Sequence, residues 1–121
     1  MFDVKLDKSK RLLTVIYSQR VVPEETKRCE QELKRLLADQ NSAFNLLTDL
    51  SGLESMDVAC GQDIARVMDF LNEKGVERVV RIIPDPKKDI GLNIMSLFHY
   101  RRGVRIVTCE TMEEAMRVLA D

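Results

Sequence analysis

Residues 44–50 read FNLLTDL, are closed by Ser51-Gly52, and lead into a helical stretch from about Ala59 to Lys74. Seven mostly apolar residues bounded by a turn signal make a buried strand, since a helix of that length would be marginal. In the stretch that follows, Ile64, Val67, Met68 and Leu71 recur at helical spacing and Gly75 supplies the stop. A buried strand, a short loop and an amphipathic helix form half of a parallel crossover unit, and the rest of the chain reads outward from there.

Downstream, residues 79–83 form a strand cut off by Pro84-Asp85-Pro86. Asp89 caps a helix carrying Ile90, Ile94, Leu97 and Phe98, which Gly103 ends. Residues 104–108 form the last strand. Thr111-Met112-Glu113-Glu114 is a capping box that opens a final helix with Ala115, Val118 and Leu119 inward. Upstream, Phe2, Val4 and Leu6 alternate with charged residues, residues 8–11 make a polar turn, and residues 12–18 (LLTVIYS) complete a hairpin. Pro23 followed by Glu24 and Glu25 starts a helix whose buried stripe is Cys29, Leu33, Leu36 and Leu37. The order is ββαβαβαβα. Right-handed crossovers make the later strands parallel and the opening hairpin adds an antiparallel edge. The expectation is an α/β fold, a mixed sheet flanked by helices, in a single domain over residues 1–121.

Composition narrows the function. Of 121 residues, 19 are basic and 20 acidic, for a net charge of −1. Nucleic-acid binding draws most of its non-specific affinity from a basic excess, and none is present. No stretch approaches the roughly 18 apolar residues of a membrane span, and residues 1–10 have no signal-peptide core. Three separated cysteines (Cys29, Cys60, Cys109) suit reduced thiols in a cytoplasmic setting. One histidine, His99, argues against a transition-metal site, and no metal or cofactor is expected.

The order of elements, with Leu46-Leu47-Thr48-Asp49-Leu50-Ser51-Gly52-Leu53 leading into Met56-Asp57-Val58-Ala59-Cys60-Gly61, resembles that of the STAS domain. This is the fold of bacterial anti-sigma factor antagonists, SpoIIAA-like proteins, and of sulfate-transporter tails. Such domains carry Asp-Ser-Ser-Gly at the start of a helix, with a phosphorylatable serine. With Asp57 aligned to the motif's aspartate, that serine position holds Ala59, and the glycine position holds Cys60, with Gly61 one residue later. A phosphate there would add about −1.5 to −2 charge at a helix N-terminus. Ala59 has no hydroxyl to carry one. The resemblance implies a divergent branch without the phospho-switch, and some such proteins bind apolar or lipid ligands.

The individual residues carry a plain and a sharper reading each. Asp57 caps the second helix, and on the sharper reading also contacts a partner. Cys60 is a packed thiol, or else a nucleophile beside a helix N-terminus, which would need His99 as base. Asp49 does not suit a response-regulator phosphoacceptor, because the acidic pair and the lysine of such sites are missing. The segment from Pro84 to His99 carries Leu92 and Met95 beyond a one-face stripe, so it is either a widely buried helix or a partly exposed apolar surface. His99, Arg101 and Arg102 suit its C-terminal end, or would rim a site for an anionic head group.

The resulting expectation is a non-enzymatic regulatory module, monomer or homodimer. It binds a protein partner through Asp57, Val58, Ala59, Cys60 and Gly61 together with Leu92 and Met95. The alternatives are a carrier of a small apolar ligand or lipid in a cleft beside the 89–99 helix, and a thiol enzyme built on Cys60.

Overall fold

A computed structural model describes residues 1–83, 85, 99–100 and 103–121. The helix expected to open at Asp89, and with it Leu92 and Met95, lies outside the described residues. So do Arg101 and Arg102.

Strands β1 (Phe2–Asp7) and β2 (Leu12–Tyr17) form the expected antiparallel hairpin, with Val4 opposite Val15. Its turn is held by Asp7, whose carboxylate accepts from the Ser9 hydroxyl at 2.7 Å and the Lys10 amide at 3.1 Å. After a short strand β3 (Gln19–Val21), helix α1 (Pro23–Leu36) begins at the proline. The Glu25 carboxylate reaches back to the Val22 amide at 3.4 Å, satisfying a donor that the first helical turn leaves open. Strands β4 (Phe44–Asp49) and β5 (Leu53–Met56) follow, then a 3-10 turn (Val58–Cys60) and helix α2 (Gly61–Lys74). Gly75 ends α2 in the left-handed conformation, φ 98°, which a residue with a Cβ adopts at a cost. Strand β6 (Val76–Ile82), strand β7 (Arg105–Cys109) and helix α3 (Met112–Ala120) complete the described elements. The Thr111 hydroxyl accepts from the Glu114 amide at 3.2 Å, as its capping position predicts.

The main sheet has the order β1-β2-β4-β6-β7, antiparallel at the hairpin and parallel from β2 onward. Its central strands are buried on both faces. On one face Leu13, Val15, Leu46 and Val79 pack with Cys29 and Leu33 of α1 and Ile64, Met68 and Leu71 of α2. On the other, Leu47, Val80 and Ile82 meet Ala115 of α3. The mixed sheet flanked by helices is therefore as expected.

Two expectations need correction. Strands β3 and β5 pair in parallel as a second, two-stranded sheet that the sequence pattern did not suggest. Strand β6 also starts at Val76, directly after the helix stop, three residues ahead of the expected Val79. Glu77 and Arg78 obscured that start. Arg78 turns toward α3, where its guanidinium donates to the carbonyls of Val118 at 2.7 Å and Leu119 at 3.3 Å. Both carbonyls lie in the last turn of α3, and that of Val118 also accepts from the Asp121 amide at 3.3 Å, so Arg78 reinforces the helix end. Arg78→Met should cost about 1.5–3 kcal/mol, the range for hydrogen bonds to a charged group. Chemical denaturation measures the loss, and amide exchange should quicken first in α3.

Candidate functional site

The loop after β4 is built by local hydrogen bonds before any tertiary contact acts. The Asp49 carboxylate accepts from the Ser51 amide at 3.0 Å and the Ser51 hydroxyl at 2.6 Å, which turns the chain back on itself. Gly52 then passes close to the β2–β3 junction. A Cβ placed on it would stand 3.3 Å from Ser18 Cβ, and its carbonyl accepts from Gln19 N at 2.8 Å. This contact sets the register in which β5 pairs with β3. Strand β5 leads to Asp57, whose amide donates to the Val21 carbonyl at 2.9 Å.

Asp57 is a cap, but of the 3-10 turn ahead of α2. Its carboxylate accepts from the Ala59 amide at 2.9 Å, and its carbonyl accepts from the Cys60 amide at 2.9 Å. The turn projects Val58, 94% exposed, between exposed Asp57 and exposed Ala59. Gly61 is half-buried at the first position of α2. Cys60 differs. It is 0% exposed, with its thiol 3.8 Å from the Val21 carbonyl, so it packs beneath the turn and offers nothing to a surface. Its amide, bonded to the Asp57 carbonyl, closes the turn and leaves the side chain facing the Val21 carbonyl of β3.

Burial also pushes the Cys60 thiol above the ordinary range, opposite to the lowering that a helix N-terminus alone would produce. His99 pairs its Nδ1 with the Asp69 carboxylate at 2.7 Å, on the exposed side of α2. A thiol enzyme on Cys60 needs solvent access to the sulfur, and the structure denies it. All three cysteines are free and buried.

Helix α2 is tied to α1 by a polar cluster. Thr26 donates to the buried Asp63 carboxylate at 2.7 Å, and Arg66 bonds the other Asp63 oxygen and reaches Glu30 at 3.3 Å. Lys34 adds a 3.3 Å contact to Glu30. Every member has a partner, as buried charge requires. Asp63 stands six residues past the cap, so this lock fixes the orientation in which the Asp57 turn is presented.

Between the sheet and α2 lies a cavity of about 190 Å³. Its floor includes Val15, Leu46 and Val79, and α2 contributes Ile64 and Met68. Leu53 and Met56 of β5 close one side, so the strand that carries the exposed turn also walls the cavity. Tyr17, Thr48, Arg81 and Tyr100 are its polar lining among the described residues. The sequence reading missed these four. A signal was available in Arg81, a lone charge in the row Val79, Arg81, Ile83, where alternate residues share one face of the strand. Among the described residues no group of three or more His, Cys, Asp or Glu side chains is arranged to hold a metal ion.

Neither a family model nor a curated protein matches the chain. Solved structures do. A protein of the DUF3478 family with a SpoIIAA-like fold, from Shewanella loihica, has a TM-score of 0.76 at 14% identity, over 98% of this chain and 93% of that one. An anti-sigma factor antagonist from Mycobacterium paratuberculosis has a TM-score of 0.61 at 20% identity, over 100% and 96%. The anti-sigma factor antagonist SpoIIAA in its unphosphorylated form has a TM-score of 0.66 at 13% identity, over 99% and 98%. What the chain shares with them at these identities is the fold.

Proposed function

From the SpoIIAA-like fold, we propose that this protein is a non-enzymatic regulatory module that docks a protein partner on the turn at Asp57, Val58 and Ala59. Two of the similar folds are named as anti-sigma factor antagonists, which supports a protein as the ligand. The observation that carries the reading is Val58. An almost fully exposed valine is unremarkable on a floppy loop. Here it stands on a turn capped by Asp57, anchored by β3–β5 pairing and oriented by the Thr26–Asp63 bond. Such a preorganised apolar side chain loses little entropy on binding. Ala59 excludes a phospho-switch at its own position, so control would come from elsewhere. Cys60 and Gly61 serve by shaping the turn.

Val58→Glu tests this, because it changes the presented surface and nothing beneath it. Native mass spectrometry of the protein isolated from its own host should show a stoichiometric protein partner. The substitution should weaken that complex by about thirtyfold, the effect of losing a hot-spot residue, at an unchanged melting temperature. A complex that Val58→Glu leaves intact would remove the turn from the interface.

A second reading, a carrier of a small apolar molecule, is favoured by the cavity of about 190 Å³ between the sheet and α2. It predicts a small molecule retained in the same native spectrum with no protein bound.

A further inference from the structure

Strand β1 stands first in the order β1-β2-β4-β6-β7, so one of its sides has no neighbouring strand among the described residues. The hairpin sets its backbone phase. The Ser18 amide donates to the Met1 carbonyl at 2.9 Å, and the Met1 amine donates to the Ser18 carbonyl at 3.0 Å. In an antiparallel pair such an exchange recurs at every second residue. Asp3, Lys5 and Asp7 therefore direct their backbone groups to β2, and the N–H and C=O of Phe2, Val4 and Leu6 point outward. Side chains alternate in the same phase. Phe2, Val4 and Leu6 are half-buried against the core, while Asp3, Lys5 and Asp7 are exposed.

We propose that β1 pairs antiparallel with β1 of a second copy of this chain, about a two-fold axis at Val4. Self-complementary charge singles out that occupant. In this register Val4 faces Val4 of the second copy, Phe2 faces Leu6, and Asp3 faces Lys5, each crossing repeated by the symmetry. The outward backbone groups of all three apolar residues then find partners. A one-residue slip loses that backbone match. A two-residue slip sets Asp3 against Asp3 or Lys5 against Lys5, which repulsion disfavours. An edge lysine ordinarily blocks pairing with foreign strands, whereas a second copy supplies Asp3 opposite it. Within one chain the Lys5 ammonium and the Asp3 carboxylate stand 3.9 Å apart and largely exposed, so both charges reach a partner strand.

Sedimentation of the full chain over a range of concentrations should show a dimer. Asp3→Lys and Lys5→Asp each place like charges at both crossings. Each should weaken the dimer about tenfold or more, because two cross-strand pairs change sign together. Mixing the two variants restores opposite charges at both crossings, so the mixture should form a heterodimer that neither variant matches alone. Both side chains are exposed, so the circular dichroism of each variant should be that of the parent. Amide exchange supplies a readout without substitution. In the unsubstituted protein the Val4 and Leu6 amides should slow as concentration rises, and the Lys5 amide, already bonded to β2, should not. A chain that stays monomeric up to about 1 mM overturns the proposal. So does a dimer indifferent to both substitutions, or a mixture no tighter than its components.

Discussion

Replacing Phe44 by alanine is expected to lower the melting temperature by about 12 °C or more. Phe44 opens β4, the middle strand of the sheet, and is 1% exposed within the core that faces α1 and α2. Truncating a buried phenylalanine removes its transfer free energy and leaves a void that close-packed neighbours fill only in part, about 3–5 kcal/mol together. For a domain of 121 residues each kcal/mol moves the melting temperature by roughly 4 °C. Phe2, half-exposed on the edge strand, is the internal control, and Phe2→Ala should cost much less. Calorimetry on both variants checks the pair. A Phe44→Ala protein melting within a few degrees of the parent would mean that β4 is not central to the core.

Raising the pH should unfold the protein before either tyrosine ionises in the folded state. The chain has two tyrosines, Tyr17 and Tyr100, and both are buried. Burial pushes Tyr100 up to about 12 and Tyr17 higher still, and the neighbouring Cys29 adds to the Tyr17 shift. The Cys29, Cys60 and Cys109 thiols are also raised by burial. In the unfolded chain thiols titrate near 8.5 and tyrosines near 10. Above those values the unfolded state gives up protons that the folded state retains, so stability falls as pH rises. The contribution is complete below about pH 8.5 and disappears as pH climbs through the folded-state values. Each buried tyrosine steepens the decline by about 1.4 kcal/mol per pH unit between its two pKa values. Tyrosinate absorbance should therefore rise together with loss of the folded circular dichroism signal. Tyr17→Phe should flatten the alkaline slope, though it also forfeits the 3.4 Å hydrogen bond from the Tyr17 hydroxyl to Cys29 Sγ. Tyrosinate formed at full retention of structure would contradict the burial of both rings.

The elements whose signals are local were legible. Pro23 with two following acids, Gly75 and Thr111 act through bonds within a few residues, and each marks an element end where the sequence put it. The stripes Cys29, Leu33, Leu36, Leu37 and Ile64, Val67, Met68, Leu71 name the faces that α1 and α2 bury, with Leu36 alone among them only half-buried, because helical geometry alone brings such positions together. Alternation in residues 2–7 and continuous apolar character in 44–50 likewise distinguish an edge strand from a central one. The Asp57 cap and the absence of a hydroxyl at Ala59 were also readable, since both depend on residue type within one turn.

Tertiary structure decided the rest. Strands β3 and β5 are three and four residues long, too short for periodicity to register, and exist because Gln19–Val21 and Leu53–Met56 meet across more than thirty intervening residues. The inward turn of Cys60 follows from the 3-10 geometry that Asp57 and the Val21 carbonyl impose, not from its place near a helix start. The Thr26–Asp63 bond joins residues 37 apart. Arg78 and Arg81 look alike in sequence, two charges in one apolar run. Three residues along a strand put them on opposite faces, so one caps α3 and the other lines the cavity. Sequence fixes which residues share a face. Only the packed sheet determines what each face meets, because that depends on contacts between segments whose separation along the chain carries no local signal.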